Sequence, residues 1–367
     1  MWVYYFIFVL LSLSALFIGR NRKVALFAFL IFAVLYICKA RIGMDYSSYK
    51  FYYENMQGFK DISLGGFEIG YNLLSLIFHK IGLPFQIFCM CMSGFVIVYF
   101  YETTKKLGLE FGITVLLALY YIFYPTLETL RQEIAIILFF YSLTLLVQEE
   151  HKKENSRKYF FINIIGFLFH RTAILAFIYY FFRKSKIMKI GIGVIFVFFA
   201  ALQPVILDFL QRFQLFYNRY YHYVWYKSVS NEEVSLLSFK LIEYLIAFVS
   251  LLIINAKNNH GRDLVKTINV SKRTAEEHLS TIENIALNLI EIGLVIQIFV
   301  SSVIGASYRL VYYCDIGILL FYASIHQRIK KSYLKFLYII VVIIYIGVRL
   351  GRIFPFDNDL FIYHFLY

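Results

Sequence analysis

The sequence predicts an all-α polytopic integral membrane protein, with about 12 transmembrane or half-membrane helices and further interfacial helices on its outer face. Three observations predict it. Of the 367 residues, 60% are hydrophobic and 16% charged, against roughly 25% charged in a soluble domain. The mean hydropathy is +0.68. Apolar runs recur along the chain at lengths that suit a hydrocarbon core roughly 30 Å thick. The net charge of +13 sits in short clusters between those runs. It therefore orients spans, and it implies membrane lipid and no nucleic acid as partner.

The candidate spans are 2–18, 24–38, 85–103, 111–124, 132–147, 158–169, 172–182, 187–203, 236–254, 285–304, 308–325 and 333–348. The first has no basic lead and no small-residue cleavage site, so it reads as a span rather than a cleaved signal. Gly66 to Leu83 repeats apolar residues at helical spacing and carries Glu68, His79 and Lys80, which predicts an interfacial helix. The 204–235 stretch, rich in Tyr and Arg, is a second amphipathic segment. Thr274-Ala275-Glu276-Glu277 has the pattern of a capping box for a helix entering the span at 285. Cys38, Cys89, Cys91 and Cys314 lie in or beside spans and form neither a disulfide framework nor a zinc pattern. Without an internal repeat, a Gly-rich phosphate loop or a soluble catalytic region, residues 1–367 are expected to form one integral domain.

Charge decides the topology. The loops at 19–23, 104–110, 148–158, 183–189, 255–284 and 326–335 hold 22 of the 36 Lys and Arg. Alternate loops therefore face the cytoplasm. That alternation holds only if the chain crosses twice between Lys158 and Arg183. Residues 158–169 and 172–182 are thus expected to be two short helices meeting at His170-Arg171 beside a water-filled cavity. Both termini then lie outside, with the active site facing the periplasm or exterior.

Four polar groups converge on that outer face: Arg41, Gly43, Asp45, Tyr46 and Tyr49; Glu128, Arg131, Gln132 and Glu133; His170-Arg171; and Tyr308-Arg309, with Asp315 further along. Each has a plain structural reading. Arg41 and Asp45 at i, i+4 suit a local salt bridge. Arg131 suits a snorkelling anchor, His170 a packed histidine, and Arg309 a counter-ion to Asp315 or a lipid-headgroup contact. Ionisable groups at membrane depth nevertheless pair or line cavities. Three Arg forks suit a pyrophosphate. His and Asp suit removal of a hydroxyl proton, and Tyr rings suit sugar faces. The expected roles are catalysis by His170, with Asp45 as the other candidate base. Substrate binding falls to Arg41, Tyr46, Tyr49, Arg131, Gln132, Arg171, Tyr308 and Arg309.

Arg41-x-Gly43-x-Asp45-Tyr46, followed by Tyr49, resembles the EpsG family of bacterial polysaccharide polymerases, which overlaps with the O-antigen and capsule polymerases called Wzy. Arg131-Gln132-x-x-Ala135, Phe169-His170-x-x-Ala173 and Tyr308-Arg309 extend the resemblance over most of the chain. After the histidine the family often has Lys and Ser; Arg171 and Thr172 stand here and keep the charge and the hydroxyl. The resemblance implies a glycosyltransferase of the bacterial cytoplasmic (inner) membrane. It would polymerise undecaprenyl-pyrophosphate-linked oligosaccharide repeats, releasing undecaprenyl pyrophosphate, with no cofactor, nucleotide sugar or metal and with room for a chain-length regulator as partner. Two rivals remain at the level of sequence. One is a transporter or flippase of a lipid-linked glycan, for which Glu243 and Glu291 inside spans speak; the other is an O-antigen ligase or an acyltransferase.

Overall fold

The structure, a computed structural model, describes residues 2–17, 22–40, 42, 45–60, 67–127, 129–147, 152–183, 239–264, 270–297 and 308–353. Among them the chain is helical, without strands. The helices are α1 (Trp2–Phe17), α2 (Arg22–Ile37), α3 (Tyr46–Glu54), α4 (Ile69–Lys80), α5 (Phe85–Lys106) and α6 (Phe111–Ala118). A π-helical turn, Leu119–Phe123, continues α6. Then come α7 (Leu130–Val147), α8 (Lys152–Phe169), a 3-10 turn (Arg171–Ala173), α9 (Ile174–Phe182), α10 (Phe239–Leu264), α11 (Val270–Val295), α12 (Tyr308–Arg328) and α13 (Ser332–Ile353). They form two compact units, Met1–Ile174 with Tyr322–Tyr367, and Leu175–Phe321.

Three of these helices are long and apolar enough to cross a membrane: Phe85–Lys106, Leu130–Val147 and Ser332–Gly351. Four shorter apolar helices accompany them, so a count of 12 spans is not what the described residues show. The span expected at 187–203 and the 204–235 segment lie outside the described residues. Apolar side chains point outward on several helices. On α4 they form a stripe of Ile69, Leu73, Ile77 and, just beyond, Ile81. An outward apolar stripe at helical spacing is what a lipid-facing helix presents.

In the first unit α7 is central. Its apolar window is 78% buried, against 22% for α13 at the periphery. It packs on α8 and α5, and α2 packs on α5 and α6. Two glycines fix the turns between these helices. Gly82 (φ +80) and Gly108 (φ +61) take the left-handed conformation that costs other residues strain. Each closes a Schellman cap. After α4, Leu83 N donates to Phe78 O at 3.1 Å and Gly82 N to His79 O at 2.9 Å; after α5, Leu109 N donates to Thr104 O at 3.3 Å. At one end of the bundle Lys106 Nζ meets Tyr141 Oη at 2.6 Å, Gln327 Nε2 meets Gly108 O at 2.7 Å, and His326 Nδ1 meets Glu110 Oε2 at 2.5 Å. Lys105, Lys106, Lys152, Lys153, Arg328, Lys330 and Lys331 all lie at or beside helix ends on that side. The opposite end gathers α3, α4, the C-termini of α2 and α8, and the N-termini of α5 and α7.

Two expectations change. Val270 already starts α11, so Thr274 lies inside the helix rather than at its start. The run Lys272 to Leu279 holds strong helix formers and no Gly or Pro, and propensity carries the helix through the pattern. In the second unit Asp315, 1% exposed, binds Lys240 Nζ and Tyr244 Oη, each at 2.7 Å. Arg309, six positions earlier on α12, is about 240° around the helix from it, so Asp315 has a different counter-ion from the one expected.

Candidate functional site

Helix α8 stops at Phe169, and His170 is extended (φ −156, ψ 127). The break expected at His170-Arg171 is therefore present. His170 Nδ1 lies 2.6 Å from Thr172 Oγ1 and accepts from Thr172 N at 3.3 Å, so the residue after the break orients the imidazole. Its placement next to α7 depends on small residues. At Gly166 an added Cβ would sit 3.6 Å from the Ala135 backbone, close but ordinary contact. Gly70 is tighter still: a Cβ there would meet Leu168 O at 2.8 Å. The bare glycine lets the start of α4 lie directly on the end of α8.

That approach delivers Glu68, the residue preceding α4. Glu68 Oε1 accepts the Arg171 N–H at 3.3 Å, and Oε2 forms an ion pair with Arg131 Nη1. Both side chains of the pair are 12% exposed. Arg131 Nε donates to Tyr49 Oη at 3.4 Å. The guanidinium carbon lies 4.4 Å from the Phe67 ring centroid and 5.4 Å from that of Tyr49. A guanidinium held by a carboxylate and walled by aromatic rings has little freedom left, and its weak hydration makes the enclosure tolerable. Tyr49, Arg131 and the Arg171 backbone, from three separate segments, thus gather at a carboxylate from a fourth, with His170 next in the chain.

A second polar group lies beside the first. Glu133, two positions after Arg131 on α7, points the other way and is 1% exposed. It accepts a hydrogen bond from Tyr36 Oη and takes Lys39 Nζ at 3.3 and 3.5 Å. Burial pulls the Lys39 ammonium below its ordinary value, and the Glu133 carboxylate offsets only part of this. Tyr46 Oη donates to Gln86 Oε1 at 3.1 Å, while Gln86 Nε2 donates to Lys39 O at 2.9 Å. The α3 tyrosines therefore divide, Tyr49 toward Arg131 and Tyr46 toward the Lys39 backbone.

The remaining expected residues are placed as follows. Gln132 is fully buried in the first turn of α7. The Arg171 side chain is exposed, and only its backbone enters the cluster. Asp45 precedes α3 directly and makes no side-chain capping bond. Its expected pairing with Arg41 falls outside the described residues. Arg41, Gly43 and Glu128 lie outside the described residues, as does the Tyr308 side chain. Arg309 is the second residue of α12, in the second unit. Glu68, Lys39 and Gln86 were absent from the expected site. Glu68 looked like one charge of an amphipathic helix; the signal it did offer was a carboxylate just ahead of an apolar periodic run. Among the described residues no cluster of His, Cys, Asp and Glu could hold a metal ion, and the four cysteines are free.

The fold defines the class: a helical membrane protein whose first unit gathers charged and aromatic side chains at one end of its bundle. Within that class, the chain belongs to the EpsG family, which matches residues 24–365, nearly its whole length. This is a Wzy-type polymerase-like family, so the protein is a polysaccharide polymerase-like membrane protein. Comparison with curated proteins and with solved structures gives no match.

Proposed function

We propose that the protein polymerises undecaprenyl-pyrophosphate-linked oligosaccharide repeats on the outer face of the bacterial cytoplasmic membrane. The observation that carries this reading is the cluster of Arg131, Tyr49, Glu68 and the Arg171 backbone, next to His170, at the bundle end opposite the cationic one. Cations mark the cytoplasmic side, which supports a position for the cluster at outer headgroup level, where a lipid-linked diphosphate sits. Arg131 takes a diphosphate oxygen of the departing carrier, where charge grows as the glycosidic bond breaks. Glu68 and Tyr49 hold its fork before substrate arrives. Arg41 and Arg309 are the further cations, with Gln132, Arg171, Tyr46 and Tyr308 as substrate contacts. His170, oriented by Thr172, positions the attacking sugar hydroxyl or accepts its proton, with Asp45 as the other candidate base. The hydroxyl oxygen bonds to the donor's anomeric carbon, and undecaprenyl pyrophosphate leaves with the electron pair.

The test is purified protein in lipid nanodiscs, supplied with lipid-linked repeats. The expected product is a ladder of multiples of one repeat, lost or shortened in R131A and H170A. No ladder from the wild-type chain, or wild-type ladders from stable R41A, R131A, H170A and R309A, would sink the reading. A transporter is favoured by one observation, the buried Glu243 on α10. It predicts no ladder in vitro and, in cells lacking the protein, repeats trapped inside; a ligase predicts chains that stay on the carrier.

A further inference from the structure

The Lys39–Glu133–Tyr36 group takes no part in the chemistry above, yet it borders a cleft. Lys39, Tyr46, Tyr49, Phe85, Cys89 and Leu130 line that cleft, whose inner cavity is about 30 Å³. A water needs roughly 10–15 Å³ measured this way, so the cavity admits a hydroxyl and not a sugar ring. Among the described residues its one charged lining group is Lys39, with a side chain only 9% exposed. The ammonium is fixed from behind by both Glu133 oxygens at 3.3 and 3.5 Å and by the Tyr36 ring, 3.5 Å from its centroid. Gln86 fixes the Lys39 backbone and the Tyr46 hydroxyl together. A buried cation backed by a carboxylate and walled by aromatic rings is a built donor site. Tyr49 lines this cleft and also contacts Arg131, so the two sites are neighbours.

We propose that the cleft is a subsite for one hydroxyl of an acceptor sugar, which inserts and accepts a hydrogen bond from Lys39. Lys39 is then a specificity-determining, positioning residue, and Glu133 and Tyr36 hold it in place. The inference rests on the polymerase reading, and its failure is separable from failure of that reading.

The discriminating variant is K39M/E133L, because replacing both members of a buried ion pair by apolar groups is often neutral or stabilising. Single lipid-linked repeats are titrated against a fixed amount of long-chain lipid-linked donor, with protein in nanodiscs. The double variant is expected to keep the wild-type melting temperature within a few degrees. Its acceptor KM is expected to rise about tenfold more than its kcat falls. A melting temperature and an acceptor KM both like wild type would show a purely structural pair and overturn the subsite. A fall in kcat alone, with acceptor KM unchanged, overturns it equally. If the double variant unfolds, E133Q serves instead, since the neutral amide keeps a hydrogen bond to Lys39 while loosening its hold; unchanged acceptor KM there overturns the subsite. A wild-type chain that makes no ladder overturns the polymerase reading itself.

Discussion

Glu68 and Arg131, 63 positions apart, form the ion pair on which the candidate site is assembled. One carboxylate oxygen takes the guanidinium, and the other takes the backbone N–H of Arg171 at 3.3 Å. One side chain therefore ties α4, α7 and the break after α8 together.

Removing that carboxylate frees the guanidinium in a ring-walled niche. Hydrogen bonds to charged groups contribute about 1.5–3 kcal/mol, so Glu68→Ala is expected to cost about 2 kcal/mol of stability. Misplacing a substrate-positioning cation by an ångström costs about 10²-fold in rate. Thermal unfolding together with ladder formation measures both. E68Q should fall between, because its amide oxygen still accepts the Arg171 N–H. Equal activity in E68A and wild type would refute the role given to this pair.

Tyr49 separates packing from polarity. Its hydroxyl lies at a long 3.4 Å from Arg131 Nε, while its ring is 4% exposed and packs on Phe67 and Tyr71. Tyr49→Phe is expected to cost under about 1 kcal/mol, and Tyr49→Ala about 3–5 kcal/mol from the lost ring and the cavity left. Similar melting temperatures for the two variants would contradict this packing.

Two glycines on one interface should answer differently to Ala. At Gly70 the new methyl meets Leu168 O at 2.8 Å, and backbone cannot yield cheaply. The expected cost is about 1–3 kcal/mol, with reduced ladder formation because Glu68 moves with α4. At Gly166 the nearest atom is 3.6 Å away, so G166A is tolerated and gains helix propensity, roughly 0.5–1 kcal/mol. Equal melting temperatures for G70A and G166A would mean the contact is not as close as described.

The second unit has its own buried network. Asp315→Ala leaves Lys240 without its carboxylate and strands the Tyr244 hydroxyl, which is 0% exposed. Losing one partner of a buried pair costs about 3–5 kcal/mol; Lys240, 27% exposed, places this loss at the lower end. D315N, which still accepts from Tyr244, should lose about half as much. Limited proteolysis and thermal unfolding report it, and an unchanged D315A would rule the network out as structural support.

Much of the helical layout was legible in the sequence because a membrane leaves few alternatives. A span needs length and apolar content, and both can be counted along the chain. The break at His170 was legible for a subtler reason: the cationic loops alternate sides only if the chain turns there. The Thr274 pattern misled because a short local signature competes with the helix propensity of the much longer run around it. Local motifs also named Arg131, Tyr49 and His170-Arg171, whose chemistry shows in single letters.

Sequence by itself determined that this chain lies in a membrane, where its long apolar helices run, and which end of the bundle carries the cations, since hydropathy and charge act locally. Only the tertiary structure decided the partners. Arg131 turned to Glu68 rather than to its near neighbour Glu133, because residues two apart on a helix face different ways. Glu133 turned to Lys39 and Tyr36, more than ninety positions upstream. The pairing of buried charges depends on which helices lie side by side, and that is fixed by packing shapes such as the bare backbone at Gly70.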